Sequence, residues 1–579
     1  MRDLLLVIGI LFAGSLVVTQ TPPAPSSGQP GTGRIRGRVV AAETSAPLRG
    51  ARVLAFIADG QPPRETVTDA NGRYEFQQLP AGAFVVSSSL DGYLSVAYGQ
   101  RNVRVMESGT AVNVAPGQTV ERIDLSLPPA CVIVVALTDE AGEPLAGAQV
   151  QIQRYQYGAN GQRRLTSAPT GIRGPARTDD RGELRAFGLM PGEYTVRASV
   201  QTIRSGSATT ARDRAEGFTP TYYPGTTRAA DAQCVTLDIG DERTVQFAMV
   251  ASRLHRVTGN IVTSDRQPPT GMDLQLAPGA GESGVVYGAG TAAADGTFAI
   301  AGVPDGTYTL QVRQNARPSL EDVRAGRSGG PFFGRVRGES VSVPLTVRGD
   351  DVTGLRIVTS RGATISGRVV FEGASTLPST PELRVFAMPQ GLAGSGWFAV
   401  GSSVYDFPPD GGVAADGRFQ IAGASGRVQL DVPTADLMVK SVTLDGRDVT
   451  DEVLDLTGTK SVSGVVITLT DKVSSVAGQV HGRDGQPVRN YVVVLLPRDP
   501  KDADGASRWI HTSRAGTDGR FQIRRVRPGR YLAAAVEWIE QGQQFAPEFQ
   551  QLLRRGAREL TVGEGQTLTL DLTLTPDIN

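Results

Sequence analysis

Residues 68–86 read T-D-A-N-G-R-Y-E-F-Q-Q-L-P-A-G-A-F-V-V, and residues 178–196 read T-D-D-R-G-E-L-R-A-F-G-L-M-P-G-E-Y-T-V. The same phrase recurs around Gly296 and Gly519, and a worn copy surrounds Gly417. The anchoring glycines Gly72, Gly182, Gly296, Gly417 and Gly519 are separated by 110, 114, 121 and 102 residues. That is the period of a domain, far above that of a solenoid. The residue before the glycine is Asn71, Arg181, Asp295, Asp416 or Asp518. Asn-Gly and Asp-Gly favour positive φ at a tight turn, so each copy is expected to be a β-hairpin. Alternating apolar residues follow: Tyr74 and Phe76, Phe298 and Ile300, Phe419 and Ile421, Phe521 and Ile523. Period-two alternation puts them on one face of a half-buried strand. A second turn carries Pro80 with Gly82, Pro191 with Gly192, Pro304 with Gly306 and Pro528 with Gly529. In the worn copy Gly423-Ala424-Ser425-Gly426 replaces it.

Each copy is preceded by a short apolar strand, such as Ile35-Arg36-Gly37-Arg38-Val39, and closed by a turn glycine and a final strand. The last of these strands, Leu568 to Leu574, alternates strictly, which predicts one buried and one solvated face. Strands punctuated by turns about every ten residues, with little helical periodicity, indicate an antiparallel sandwich. The expectation is an all-β chain of five tandem antiparallel β-sandwiches of the Ig-like or transthyretin-like kind, over 33–128, 129–250, 251–359, 360–470 (divergent) and 471–579. One short helix is expected in the last unit, from Pro547 to Arg555 with Gly556 as its stop. Phe549, Leu552 and Leu553 share a face there, to cap a sandwich end or to dock a partner.

The N-terminus reads differently. Leu4 to Val18 is a 15-residue apolar run behind Arg2. It is short for a membrane span and suits the core of a signal peptide over residues 1–20; the alternative is an uncleaved anchor, the one membrane attachment expected. Residues 21–32 are rich in Pro, Gly and Ser and read as a linker. Both readings place the rest of the chain outside the cytoplasm, in periplasm, at the surface or secreted. The 58 basic and 58 acidic residues balance, and only Lys440, Lys460, Lys472 and Lys501 are lysines. Scattered arginine at zero net charge argues against a nucleic-acid partner, and none is expected.

The turn phrase, with A-P-L-R-G-A-R-V at 46–53 and E-P-L-A-G-A-Q-V at 143–150, resembles the carboxypeptidase regulatory-like domain. The resemblance is good in units one and two, fair in three and five and poor in four. It implies a transthyretin-like (prealbumin-like) sandwich related to carbohydrate-binding-like and adhesin modules. The whole is similar to exported, multi-copy proteins of soil bacteria such as acidobacteria. The family name implies no peptidase activity.

Chemistry is sparse. The three histidines, His255, His481 and His511, lie in different surroundings without a zinc-ligand spacing. Gly326-Arg327-Ser328-Gly329-Gly330 matches a nucleophile elbow in letters only, since a glycine-arginine loop and Pro331 stand where a strand and helix are needed. Asp69, Asp179 and Asp518 are read as turn formers, and Asp445, Asp448 and Asp451 as a solvated acidic loop. No catalytic residue, metal or cofactor is expected. Cys131 and Cys234 lie in one unit, and the spacing leaves a disulfide and two free thiols both open. The candidate binding residues are loop aromatics: Tyr98, Tyr222, Tyr223, Phe332, Phe333 and Trp397. Exposed rings there would stack on a polysaccharide or grip another extracytoplasmic protein. The alternative is that they fold back on their own sandwich.

Overall fold

The computed structural model describes residues 31–57, 63–100, 103, 109–158, 161, 163–172, 174–200, 204–205, 216–267, 269, 271–278, 288–314, 338–373, 383–389, 409–434, 437–458, 460–499, 508–516, 519–540 and 542–575. Residues 1–20, read as a signal peptide, and nearly all of 21–32, read as a linker, lie outside these residues. Among the described residues the chain is nearly all β, arranged in ten sheets, with one α-helix, α1 (Pro547–Gly556).

The first segment shows the plan. Its strands are β1 (Gly33–Ala41), β2 (Arg52–Ile57), β3 (Arg64–Val67), β4 (Arg73–Leu79), β5 (Gly82–Ser89), β6 (Val96–Ala97), β7 (Ala111–Val114), β8 (Thr119–Val120) and β9 (Leu125–Leu127). One sheet has the order β4-β1-β8, with β9 also on β1; the other has β3-β2-β5-β6, with β7 also on β5. Ile35, Val39, Tyr74 and Phe76 from the first sheet meet Val53, Ala55, Phe84 and Val86 from the second in one buried cluster. Four further clusters of the same make lie along the chain, each drawn from its own pair of sheets.

Two expectations change here. The turn phrase does not close a paired hairpin. β3 and β4 flank it, yet they belong to opposite sheets, and β5 returns to the sheet of β3. The same switch occurs in every copy, for example at Arg163–Ser167, Glu183–Leu189 and Gly192–Ser199. A local turn signal specifies chain reversal and leaves the strand partner to the core. Crossing between layers lets the alternate residues of both flanking strands face one interior. The crossing is tied down by the first threonine of the phrase. Thr68 Oγ1 donates to Leu48 O (2.5 Å) and accepts from Ala51 N (2.9 Å); Thr178 does the same with Leu145 O and Ala148 N. Asp69 Oδ1 accepts the N–H groups of Asn71 and Arg73, both at 2.8 Å, which is how this acidic residue makes the turn. Gly72, at φ +72°, lies where a Cβ would stand 2.4 Å from Val39 O. Only glycine closes the turn that tightly.

The second change concerns strand direction. Most pairs are antiparallel, but the opening strand of each segment pairs in parallel with its closing strand. In the second segment this ladder runs unbroken, from Val132↔Glu242 to Thr138↔Ala248. Elsewhere it breaks beside a glycine of the opening strand. A Cβ at Gly37, Gly259, Gly367 or Gly478 would stand 2.0, 2.3, 2.1 or 1.8 Å from the carbonyl oxygen of Ile123, Leu355, Val465 or Leu570. An aromatic residue pairs with each of those glycines on the neighbouring strand: Tyr74, Phe298, Phe419 or Phe521. The second segment pairs Val135 with Leu184 at that point. Ring and glycine are thus two halves of one packing solution, with the ring covering the space that the missing side chain leaves.

Neighbouring segments are knitted together. Ala130 N–H donates to Gly92 O (3.0 Å) between the first and second. Glu216–Phe218 pairs with the opening strand Ala251–Val262 of the third. Ser340 and Ser360 exchange both backbone hydrogen bonds ahead of the fourth.

Candidate functional site

The aromatic candidates do not form an exposed platform. Tyr222 is 1% exposed, a correction to its reading as a surface ring; its strand, Thr221–Tyr222, is paired onto Gly192–Ser199, which turns the ring inward. Tyr223 is half-buried on the second core and meets Phe247 edge to face at 6.1 Å. Tyr98 is half-buried against the first core. Phe332, Phe333 and Trp397 lie outside the described residues, as does the Gly326–Gly330 string. Cys131 and Cys234 are not bonded: the first is buried, its thiol donating to Asp238 O at 3.0 Å, and the second is exposed. Burial pushes the Cys131 thiol above its ordinary pKa, so it is inert.

His255 is buried 3.2 Å from Asp305 Oδ1, and His511 is half-buried and pushed down to about 4, chiefly by desolvation and then by Arg525. No three His, Cys, Asp or Glu side chains gather as a metal set among the described residues, and no described helix is long and apolar enough to cross a membrane. A shallow, polar cleft of about 430 Å³ opens where the first two segments meet, lined by Asp91, Ala130, Arg185, Phe187, Gly240 and Glu242. Arg185 and Glu242 pair along it at 2.9 Å.

A dense polar constellation joins the fourth segment to the fifth. Asp451, expected in a solvated loop, accepts from Arg527 Nη1 (2.6 Å) and Trp509 Nε1 (3.2 Å). Arg527 also lies over the Trp509 ring at 4.9 Å. Arg508, with a side chain 12% exposed, donates to Thr450 O (2.9 Å) and to Leu430 O. Lys440 bridges Glu372 (2.6 Å) and Glu564 (3.1 Å) at its edge. Asp448 is used up locally, accepting from Thr450 N and Oγ1. Every charge in the cluster has an opposite charge or a carbonyl against it. Its chemistry is that of a joint, since neither a free base nor a nucleophile is left over. Sequence reasoning missed Trp509 and Arg527 as partners of Asp451, and Arg508 as the partner of Asp431, because the residues of each pair lie 58 to 77 positions apart and carry no local signal.

A buried carboxylate sits before the fourth segment. Glu339 is 3% exposed and accepts from Ser264 N (2.9 Å), Ser264 Oγ and Thr359 Oγ1, with Arg361 Nε at 3.4 Å. Burial alone would raise its pKa; the hydrogen bonds from Ser264 and Thr359 outweigh that and hold it below the ordinary glutamate value. A depressed folded-state pKa stabilises the fold above the unfolded-state value of about 4.3, and that contribution is lost as pH falls through the folded-state value. The third segment should therefore lose thermal stability below about pH 4.3, and Glu339→Gln should flatten that acid limb. Calorimetry between pH 6 and pH 3 would test it; an unchanged acid limb in the variant contradicts it.

Residues 34–128 match the family model described as the carboxypeptidase regulatory-like domain. No curated protein matches the chain. Among solved structures, it is similar to the Bacillus anthracis TIE protein at 13% identity over 57% of this chain and 50% of that one, with a TM-score of 0.15. The chain thus spans half the length of that protein. It is also similar to the minor pilin of Streptococcus agalactiae (17% identity, 38% and 95% covered, TM-score 0.19). A streptococcal ancillary pilin gives 14% identity, 57% and 99% covered, and a TM-score of 0.18. At these values the likenesses identify no function.

Proposed function

We propose that this chain is an exported, non-catalytic scaffold of five tandem β-sandwiches, over 33–128, 129–250, 251–359, 360–470 and 471–579, that presents binding surface to another extracytoplasmic protein or to a polysaccharide. The supporting observation is the Asp451–Arg527–Trp509 joint. It spends charged side chains of both segments on fixing one sandwich against the next, which is a use suited to a spacer. Loop aromatics outside the described residues, Phe332, Phe333 and Trp397, remain the proposed contacts. A second reading, an accessory or regulatory part of a peptidase or glycan-degrading system, is favoured by the family match over 34–128. The deciding experiment is a peptidoglycan and polysaccharide binding screen run beside peptidase and glycosidase assays on the purified chain. Retention without turnover supports the scaffold, and co-purification with a hydrolase supports the accessory role. Turnover by the isolated chain sinks both.

A further inference from the structure

The helix α1 does not cap its own sandwich end alone. Phe549 and Leu553 are buried with Ile539 and Phe545 in a cluster that covers the outer face of Val492–Pro497, on the far side from the last core; Leu552, expected on the same face, is exposed. Tyr157 of the second segment packs against this cluster. Tyr157 ends the strand Gln149–Tyr157, whose partner Arg163–Ser167 returns beside it. The Arg163 guanidinium lies over the Tyr155 ring at 4.2 Å and the Tyr157 ring at 5.9 Å, stiffening the ribbon end.

The fit is reciprocal and backbone-close. A Cβ on Gly542 would stand 2.0 Å from Tyr157 O. One on Gly161 would stand 2.4 Å from Phe545 O and 3.1 Å from Pro547 Cδ. Two glycines 381 residues apart thus each make room for the other's segment. Any side chain at either position would hold the two surfaces apart. A surface that merely drifted past would place no such demand on both partners.

We propose that the cluster built around α1 is a receptor for the Tyr157 ribbon end of the same chain. Together with the junctions between segments two and three, three and four, and four and five, this contact closes segments two to five into a ring, with the first segment projecting from it. An open string of sandwiches would leave the α1 cluster uncovered. This inference does not depend on the proposed function.

Small-angle scattering on the full chain, with Tyr157→Asp and separately Gly542→Val, tests it. Tyr157 is not part of the second segment's own core, so near-ultraviolet dichroism should stay native in that variant. Each variant should lengthen the maximum dimension by roughly 25 Å, the length of an eight-residue strand at about 3.3 Å per residue. Wild-type and variant chains of equal dimensions would overturn the ring. So would a wild type that self-associates and becomes monomeric on Tyr157→Asp, because the contact would then form between chains.

Discussion

Gly478→Ala should destabilise the last segment by about 4 kcal/mol, some 3 from overpacking and about 1 from a lost ladder hydrogen bond. The added methyl would stand 1.8 Å from Leu570 O and 3.1 Å from Phe521 Cε1. Neither can retreat cheaply. Leu570 N–H is bonded to Ala477 O at 2.8 Å, so moving its carbonyl strips the closing strand from the sheet. Phe521 is buried in the core and meets Tyr491 edge to face at 6.4 Å. Trp509 and Trp538 both lie in this segment, so denaturant unfolding followed by fluorescence reports on it. A change in stability under about 1 kcal/mol would show that the closing strand yields, and would remove the account of why four segments carry glycine with an aromatic partner.

Asp451→Ala should be the next most damaging change, at about 3 kcal/mol. It leaves the Arg527 guanidinium, with a side chain 13% exposed, without its carboxylate, while Arg508 keeps Asp431 at 3.7 Å. Removing one partner of a buried pair costs more than the pair contributes, because the remaining charge stays desolvated. Asp451 is 37% exposed, so water screens part of the interaction and the lower end of the range applies. The last segment should then melt about 12 °C lower, at about 4 °C per kcal/mol for a domain of this size. Asp451→Asn should fall between the two, since it keeps an acceptor for Trp509 Nε1 and loses the charge. Calorimetric transitions that do not move in Asp451→Ala would mean that the joint fixes orientation without adding stability.

What could be read from the sequence follows interaction range. The alternation of Tyr74 with Phe76, the positive-φ glycines and the ends of α1 are set within a few residues, and all were legible. The destination of β3 and β4 was not, because an Asn-Gly turn is equally content within a sheet or between sheets. Tyr222 sits in a Tyr-Tyr-Pro-Gly stretch that announces a turn, while the direction of its ring depends on pairing with Gly192–Ser199. Asp451 reads as a loop acid because its partners come from the following segment. Cys131 and Cys234 share a segment, but one faces the core and the other faces solvent. The α1 cluster looked like an end cap because Tyr157 is hundreds of residues distant.

The parallel pairing of opening and closing strands has a mechanical consequence. Two neighbouring strands that run the same way place the entry and exit of each sandwich at opposite poles. Tension along the polypeptide therefore loads their ladder in shear, and its hydrogen bonds must rupture together instead of peeling singly. The uninterrupted run from Val132 to Thr138 is the longest such lock. The second sandwich should therefore yield last under pulling, and the fifth, held only at Ser475–Ala477 and Val480–His481, should give way well before it.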